Sequence, residues 1–157
     1  VLSSCLLIIE AKAREKGISV ETAVAPNIPK LFSDPLRVKQ ILINLLSNAV
    51  KFTPEKGRIR IDIAPLQHGY ASISVTDTGC GMTPEVAARI FDPFFTPQAV
   101  GKGTGQGLAM AHNVVVVRHG GTIKVESTPG AGTTFIIRLP LEAPESGARD
   151  NDDVQAA

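Results

Sequence analysis

Leu2, Leu6, Ile9 and Ala13 recur at helical spacing and Gly17 follows them, so residues 1–16 read as an amphipathic helix with a glycine stop. Residues 18–24 alternate as a strand does, and Pro26 and Pro29 break the pattern. Ser33 or Asp34 can cap the next helix, with Pro35 in its first turn. That helix runs to about Phe52, where Pro54 and Gly57 end it. Residues 58–64 and 71–76 alternate like half-buried antiparallel strands, joined by a turn containing His68 and Gly69. Thr83 and Pro84 open a short helix through Ile90, and residues 92–105 are irregular and rich in Gly and Pro. A helix over 106–118 closes on Gly120. Strands at 121–126 and 133–139 then flank a turn over 128–132.

Strands cluster in antiparallel pairs with helices between the pairs. The pattern predicts a two-layer α/β sandwich with helices on one sheet face. The hairpins at 58–76 and 121–139 argue against a doubly wound sheet, which needs regular crossovers.

Composition narrows the class. The chain has 157 residues, 43% hydrophobic and 20% charged, enough for one domain with a real core. No apolar run approaches the ~18 residues of a membrane span. No basic leader or small-residue cleavage site opens the sequence, so no secretory signal is expected. Cys5 and Cys80 are too few for a disulfide framework and lack metal-ligand spacing, which favours a reducing, cytoplasmic setting. The net charge of +1 hides an asymmetry. Residues 142–157 carry five acidic groups against Arg149 and read as a disordered tail or linker. The remainder carries 15 basic and 10 acidic residues, which suits a phosphate-bearing ligand. With no Trp and a single Tyr, nothing marks a base-stacking surface, and nucleic acid is not an expected partner.

Three segments could carry chemistry. Gly101-Lys-Gly-Thr-Gly-Gln-Gly107 leads into a helix whose first amides could hold phosphate oxygens; a flexible surface loop is the plainer reading. It is neither a Walker loop nor a dinucleotide fingerprint. Asp77-Thr-Gly-Cys-Gly81 follows a strand, where a carboxylate can accept from an amine such as adenine N6; an Asp-Gly turn explains it equally. Asn44, Asn48 and Lys51 share one helical face. Two amide oxygens there could ligate a hard cation such as Mg²⁺ while Lys51 takes phosphate charge, although either Asn alone is more often a cap or an interior amide.

Together these segments resemble a specific family. Asn44-Leu-Leu-Ser-Asn-Ala-Val-Lys-Phe52, Asp77-Thr-Gly-Cys-Gly81, Phe91-Asp-Pro-Phe-Phe95, Gly103-Thr-Gly-Gln-Gly107 and Gly130-Ala-Gly-Thr-Thr-Phe135 look like the N, G1, F, G2 and G3 boxes of bacterial sensor histidine kinases, in that order. The resemblance covers residues 34–141, the catalytic ATP-binding domain. Residues 1–33 look like a helix end and first strand leading in, and 142–157 like a tail or linker.

The resemblance implies a Bergerat-type ATP-binding fold, with a mixed, mostly antiparallel sheet and a flexible ATP lid over 92–105 hinged by Gly101, Gly103 and Gly105. By it, Asp77 would recognise the adenine amine, with Gly79 and Gly81 letting the base approach. Asn48 would ligate Mg²⁺ on the ATP phosphates, with Asn44 and Lys51 beside it as the other catalytic residues. Phe91, Phe95, Lys102, Gly103, Thr104, Gly105, Gln106, Gly107 and Leu108 would contact the ATP, and Thr133 and Thr134 would lie near the adenine. Phe91, Phe94 and Phe95 would anchor the lid and help dock the phosphoacceptor domain; a plain hydrophobic staple explains them as well.

The implied activity is phosphoryl transfer from Mg·ATP to a His on a separate dimerisation domain, with a response regulator downstream. The isolated domain is expected to be a cytoplasmic monomer without membrane contact. Two positions depart from the pattern: Gln106 stands where the G2 box usually has Leu, and Gln98 where a lid Lys is usual. No His here is followed by an acidic residue on a dimerisation helix, so the acceptor lies outside these residues. Related hydrolases place a Glu where Asn44 stands, and an amide cannot take a proton from water. A protein-serine kinase of the same fold and a non-catalytic nucleotide module are the remaining alternatives.

Overall fold

The computed structural model describes residues 1–31, 33–97 and 105–141. The chain runs α1 (Leu2–Glu15), β1 (Ser19–Val24), α2 (Pro35–Phe52), β2 (Arg58–Leu66), β3 (Tyr70–Asp77), α3 (Pro84–Arg89), α4 (Gly107–Asn113), β4 (Thr122–Thr128) and β5 (Gly132–Pro140). The strands form one sheet in the order β1-β2-β3-β5-β4. β1 pairs with β2 in parallel and every other pair is antiparallel.

Alternation fixes which sheet face the helices cover. Along β3, Ala71, Ile73, Val75 and Asp77 are buried, while Ser72, Ser74 and Thr76 on the other face are only partly covered. Val75 stands opposite Ile61 on β2 and Phe135 on β5, so the apolar rows of three strands meet. A slip of one residue would turn all of them outward. α2 covers this face with Val38, Ile41, Leu42, Leu45, Leu46, Ala49 and Val50, a stripe of helical period. Asp34 caps α2 by accepting from the Leu36 amide at 2.9 Å, and Pro35 occupies the first turn as its fixed φ favours.

The two-layer, mostly antiparallel architecture matches the sequence reading, with three differences. Residues 1–24 are more than a lead-in: Cys5, Ile9, Ala13 and Ile18 belong to the same core as α2, and β1 is a strand of the same sheet. The helix expected over 106–118 changes character at Val114, from the α-helical α4 to a π-helical turn over Val114–Arg118. Four consecutive valines crowd the preceding turn through their branched Cβ atoms, which weakens regular α-helix there. His119 Nδ1 meets the Val114 carbonyl at 2.8 Å and closes that turn. Finally, β2 and β3 extend to pair Leu66 with Tyr70, because His68 and Gly69 take positive φ in the connection.

No helix among the described residues is long and apolar enough to cross a membrane. The central part of the expected lid, 98–104, and the acidic segment 142–157 lie outside the described residues.

Candidate functional site

A cleft of about 540 Å³ opens between the C-terminal half of α2, the end of β3, α3 and the start of α4. Asp77 forms part of its wall and is only 6% exposed. Its carboxylate accepts from the Gly79 amide at 2.8 Å and from the Thr133 amide on the neighbouring strand. Burial pushes the Asp77 carboxyl up from its ordinary value; the two amides oppose this and are outweighed. The result is a hydrogen-bond acceptor held by backbone on two sides in a mostly apolar recess.

The glycines after Asp77 are required by the chain itself. A Cβ at Gly79 would lie 2.7 Å from Asp77 Oδ1 and 2.8 Å from the Phe52 carbonyl oxygen. Gly81 has φ +68°, and a Cβ there would fall 2.0 Å from the Thr128 carbonyl oxygen. In both cases the close approach is of chain to chain. Gly81 also lines the cleft, whereas Gly79 is buried behind Asp77.

α2 brings Asn48 and Lys51 to the cleft. Asn44, one turn earlier, is not on its wall; its Nδ2 donates to the Gly107 carbonyl at 3.2 Å and ties the first turn of α4 to α2. Gly105, Gly107 and Leu108 line the cleft, while Gln106 is exposed at the N-cap of α4. Thr133 lines it beside Asp77. Thr134 does not: one residue along a strand reverses the side chain, and its Oγ1 lies 3.1 Å from Thr76 Oγ1 on the other sheet face. Lys102, Gly103 and Thr104 lie outside the described residues.

The phenylalanines divide their work. Phe95 lines the cleft with the Arg89 guanidinium 4.5 Å over its ring. Phe91 packs inward, edge-on to Phe135 and 5.2 Å from the His112 ring. Phe94 is 72% exposed with φ 64°, and its amide donates to the Gly105 carbonyl at 3.0 Å. That bond joins the two ends of the 92–105 segment.

Sequence reasoning missed the wall formed by Met82, Val86 and Ile90. Their spacing of four residues was a legible signal. It also missed Phe135, which shares the inward parity of Thr133.

Among the described residues no group of three or more His, Cys, Asp or Glu side chains could hold a metal ion. Asn48 is the side-chain amide that α2 brings to the cleft wall. One neutral oxygen suits Mg²⁺, which keeps most of its ligands as water and substrate phosphates. It does not suit a metal held by a protein cage.

A model of the family described as histidine kinase-, DNA gyrase B-, and HSP90-like ATPase matches residues 33–143. The chain belongs to this family. Within it, the chain is 38% identical over 141 residues to the sensor histidine kinase ZraS of Klebsiella oxytoca, covering 90% of this chain and 30% of that protein. To sporulation kinase E of Bacillus subtilis it is 32% identical over 153 residues, covering 98% and 20%. The chain thus spans less than a third of the length of these curated relatives. The nucleotide-free catalytic domain of histidine kinase ThkA superposes with a TM-score of 0.79 at 31% identity, over 88% of each chain. Full-length ShkA, solved in complex with AMPPNP, gives 0.79 at 34% identity over 88% of this chain and 29% of that one. The fold is that of histidine kinase catalytic domains.

Proposed function

We propose that this family member is the catalytic ATP-binding part of a sensor histidine kinase. It holds Mg·ATP and presents the γ-phosphate to a His on a separate dimerisation domain of the same protein, from which a response regulator is served. The observation that carries the reading is Asp77: a buried acceptor fixed by two amides, opening into a 540 Å³ cleft whose α2 wall carries Asn48 and Lys51.

In this reading Asp77 accepts from the adenine amine, and Thr133 and Leu108 flank the base. Asn48 offers its amide oxygen to Mg²⁺, which would neutralise phosphate charge when bound. Lys51 adds charge from α2. Gly103, Thr104, Gly105, Gln106 and Gly107 provide main-chain contacts to phosphate, with Lys102 as the lid cation. Asn44 acts indirectly, by holding α4 against α2. Phosphoryl transfer of this kind asks for positioning and charge neutralisation rather than covalent chemistry by this chain. Asn44 offers no base for water, which favours transfer over hydrolysis.

Residues 1–141 are taken as one domain and 142–157 as an acidic tail or linker. The domain is read as a cytoplasmic monomer that meets its acceptor domain in trans or through a tether. A related kinase, ThkA, has been solved in complex with its response regulator TrrA, which supports the kind of partner.

The test is calorimetry of wild type and Asp77→Ala with ATP and GTP in Mg²⁺. Guanine presents a carbonyl where adenine has its amine, and an unpaired buried acceptor costs about 1–3 kcal/mol. Wild type should prefer ATP, and Asp77→Ala should bind it about tenfold or more weakly. Equal ATP affinity in both proteins rejects the adenine assignment.

A further inference from the structure

Lys16 lies outside the five boxes and outside the residues the family model matches. Its ammonium reaches across 34–37 residues of sequence to the end of α2. There it donates to the carbonyls of Val50 at 2.7 Å and Thr53 at 2.5 Å, with the Lys51 carbonyl at 3.4 Å. Three donors meet three carbonyls, so the group is satisfied. The last carbonyls of a helix have no partner inside it and carry the negative end of its dipole, which makes a cation the favoured cap.

The main chain of Lys16 is itself fixed. Its carbonyl accepts from the Lys56 amide at 3.0 Å, and the Ser19 amide donates to the Gly57 carbonyl at 3.0 Å. The ammonium therefore projects from a clipped backbone rather than from a loose helix end. The turn it caps contains Lys51 and directly follows Asn48. It also bears on Asp77: the Phe52 carbonyl is packed against Gly79, whose amide orients the Asp77 carboxylate.

We infer that Lys16 is a positioning residue for the nucleotide site, setting the last turn of α2 and, through the Phe52–Gly79 contact, the Asp77 acceptor. Lys16 is not on the cleft wall and acts through residues that are, Lys51 among them. The inference rests on the nucleotide reading above, so its test has one arm that needs no nucleotide.

Lys16→Met, Lys16→Arg and a control, Lys12→Met on the exposed side of α1, are compared with wild type. The first arm records backbone amide shifts of Phe52, Asp77 and Gly79 in the free proteins by NMR. The second measures the affinity for Mg·AMPPNP, with thermal unfolding alongside. Lys16→Met should move the three amides and bind about fivefold or more weakly, the loss expected when a charge-assisted bond set is removed. Lys16→Arg should restore part of the affinity and Lys12→Met should change neither readout. A Lys16→Met protein that is less stable yet binds like wild type, with those amides unmoved, makes Lys16 a structural cap only and overturns the inference. If Lys16→Met does not fold, Lys16→Arg decides: its guanidinium cannot reproduce three converging bonds, so unmoved amides and unchanged affinity again overturn it. If wild type binds no nucleotide, the functional reading fails, and the amide shifts alone then judge the positioning role.

Discussion

Asp77 and Thr133 stand directly opposite each other on β3 and β5, and the Thr133 amide donates to the Asp77 carboxylate. Two adjacent strands thereby aim one acceptor, and the Gly79 amide fixes it from the following turn. An acceptor set by backbone needs little reorganisation when a donor arrives.

That arrangement has a cost visible in pH dependence. The Asp77 carboxyl is raised in the folded protein, burial being the larger cause. A raised carboxyl contributes stability that is complete below its unfolded value of about 3.9 and is lost as pH rises through the folded value. Wild type should therefore lose stability as pH rises above about 4, and Asp77→Asn should lack this component of the pH dependence. Denaturant unfolding across this range checks the sign. The same variant should bind ATP more weakly.

Gly81→Ala should destabilise the domain by about 2 kcal/mol or more, since it combines a positive φ with a Cβ placed on the Thr128 carbonyl. Gly130→Ala shares the positive φ but meets open space, so it should cost less. The difference in urea midpoint separates collision from backbone strain.

Asn48→Ala should remove most of the Mg²⁺ dependence of ATP binding while leaving Mg²⁺-free binding nearly unchanged. Asn44→Leu should instead act on α4, through the lost bond to Gly107, and lower affinity with and without Mg²⁺ alike. Paired titrations with and without the cation distinguish the two asparagines. Identical responses would assign the face a packing role only.

Truncating the core tests its packing. Leu46 on α2 is fully buried in the core, and Leu46→Ala should cost about 2–5 kcal/mol of unfolding free energy. Leu36, 71% exposed at the start of the same helix, should tolerate alanine within about 0.5 kcal/mol.

Local signals made much of this molecule legible. The Asp34-Pro35 start of α2 and the alternation in β3 are written within a few residues, and both elements formed where they were read. Strand parity could also have separated Thr133 from Thr134, because Phe135 marks the inward face. What stayed hidden depends on contacts distant in sequence. The Lys16 cap on α2 and the close approach of the Phe52 carbonyl to Gly79 need the fold before they can be seen. The π-helical turn at Val114 is intermediate: the valine run is visible, but the His119 contact that closes it is not.

The most direct test of the account supplies the missing acceptor. This chain, purified, is mixed with the dimerisation domain proposed above as its acceptor and with γ-labelled ATP. Label should appear on the partner, be lost in acid as a phosphoramidate is, and fall sharply with Asn48→Ala. Transfer should be slow beside the tethered protein, which enjoys a roughly millimolar effective concentration. Rapid labelling of this chain without the partner, or brisk ATP hydrolysis by the chain alone, would contradict the phosphotransfer reading.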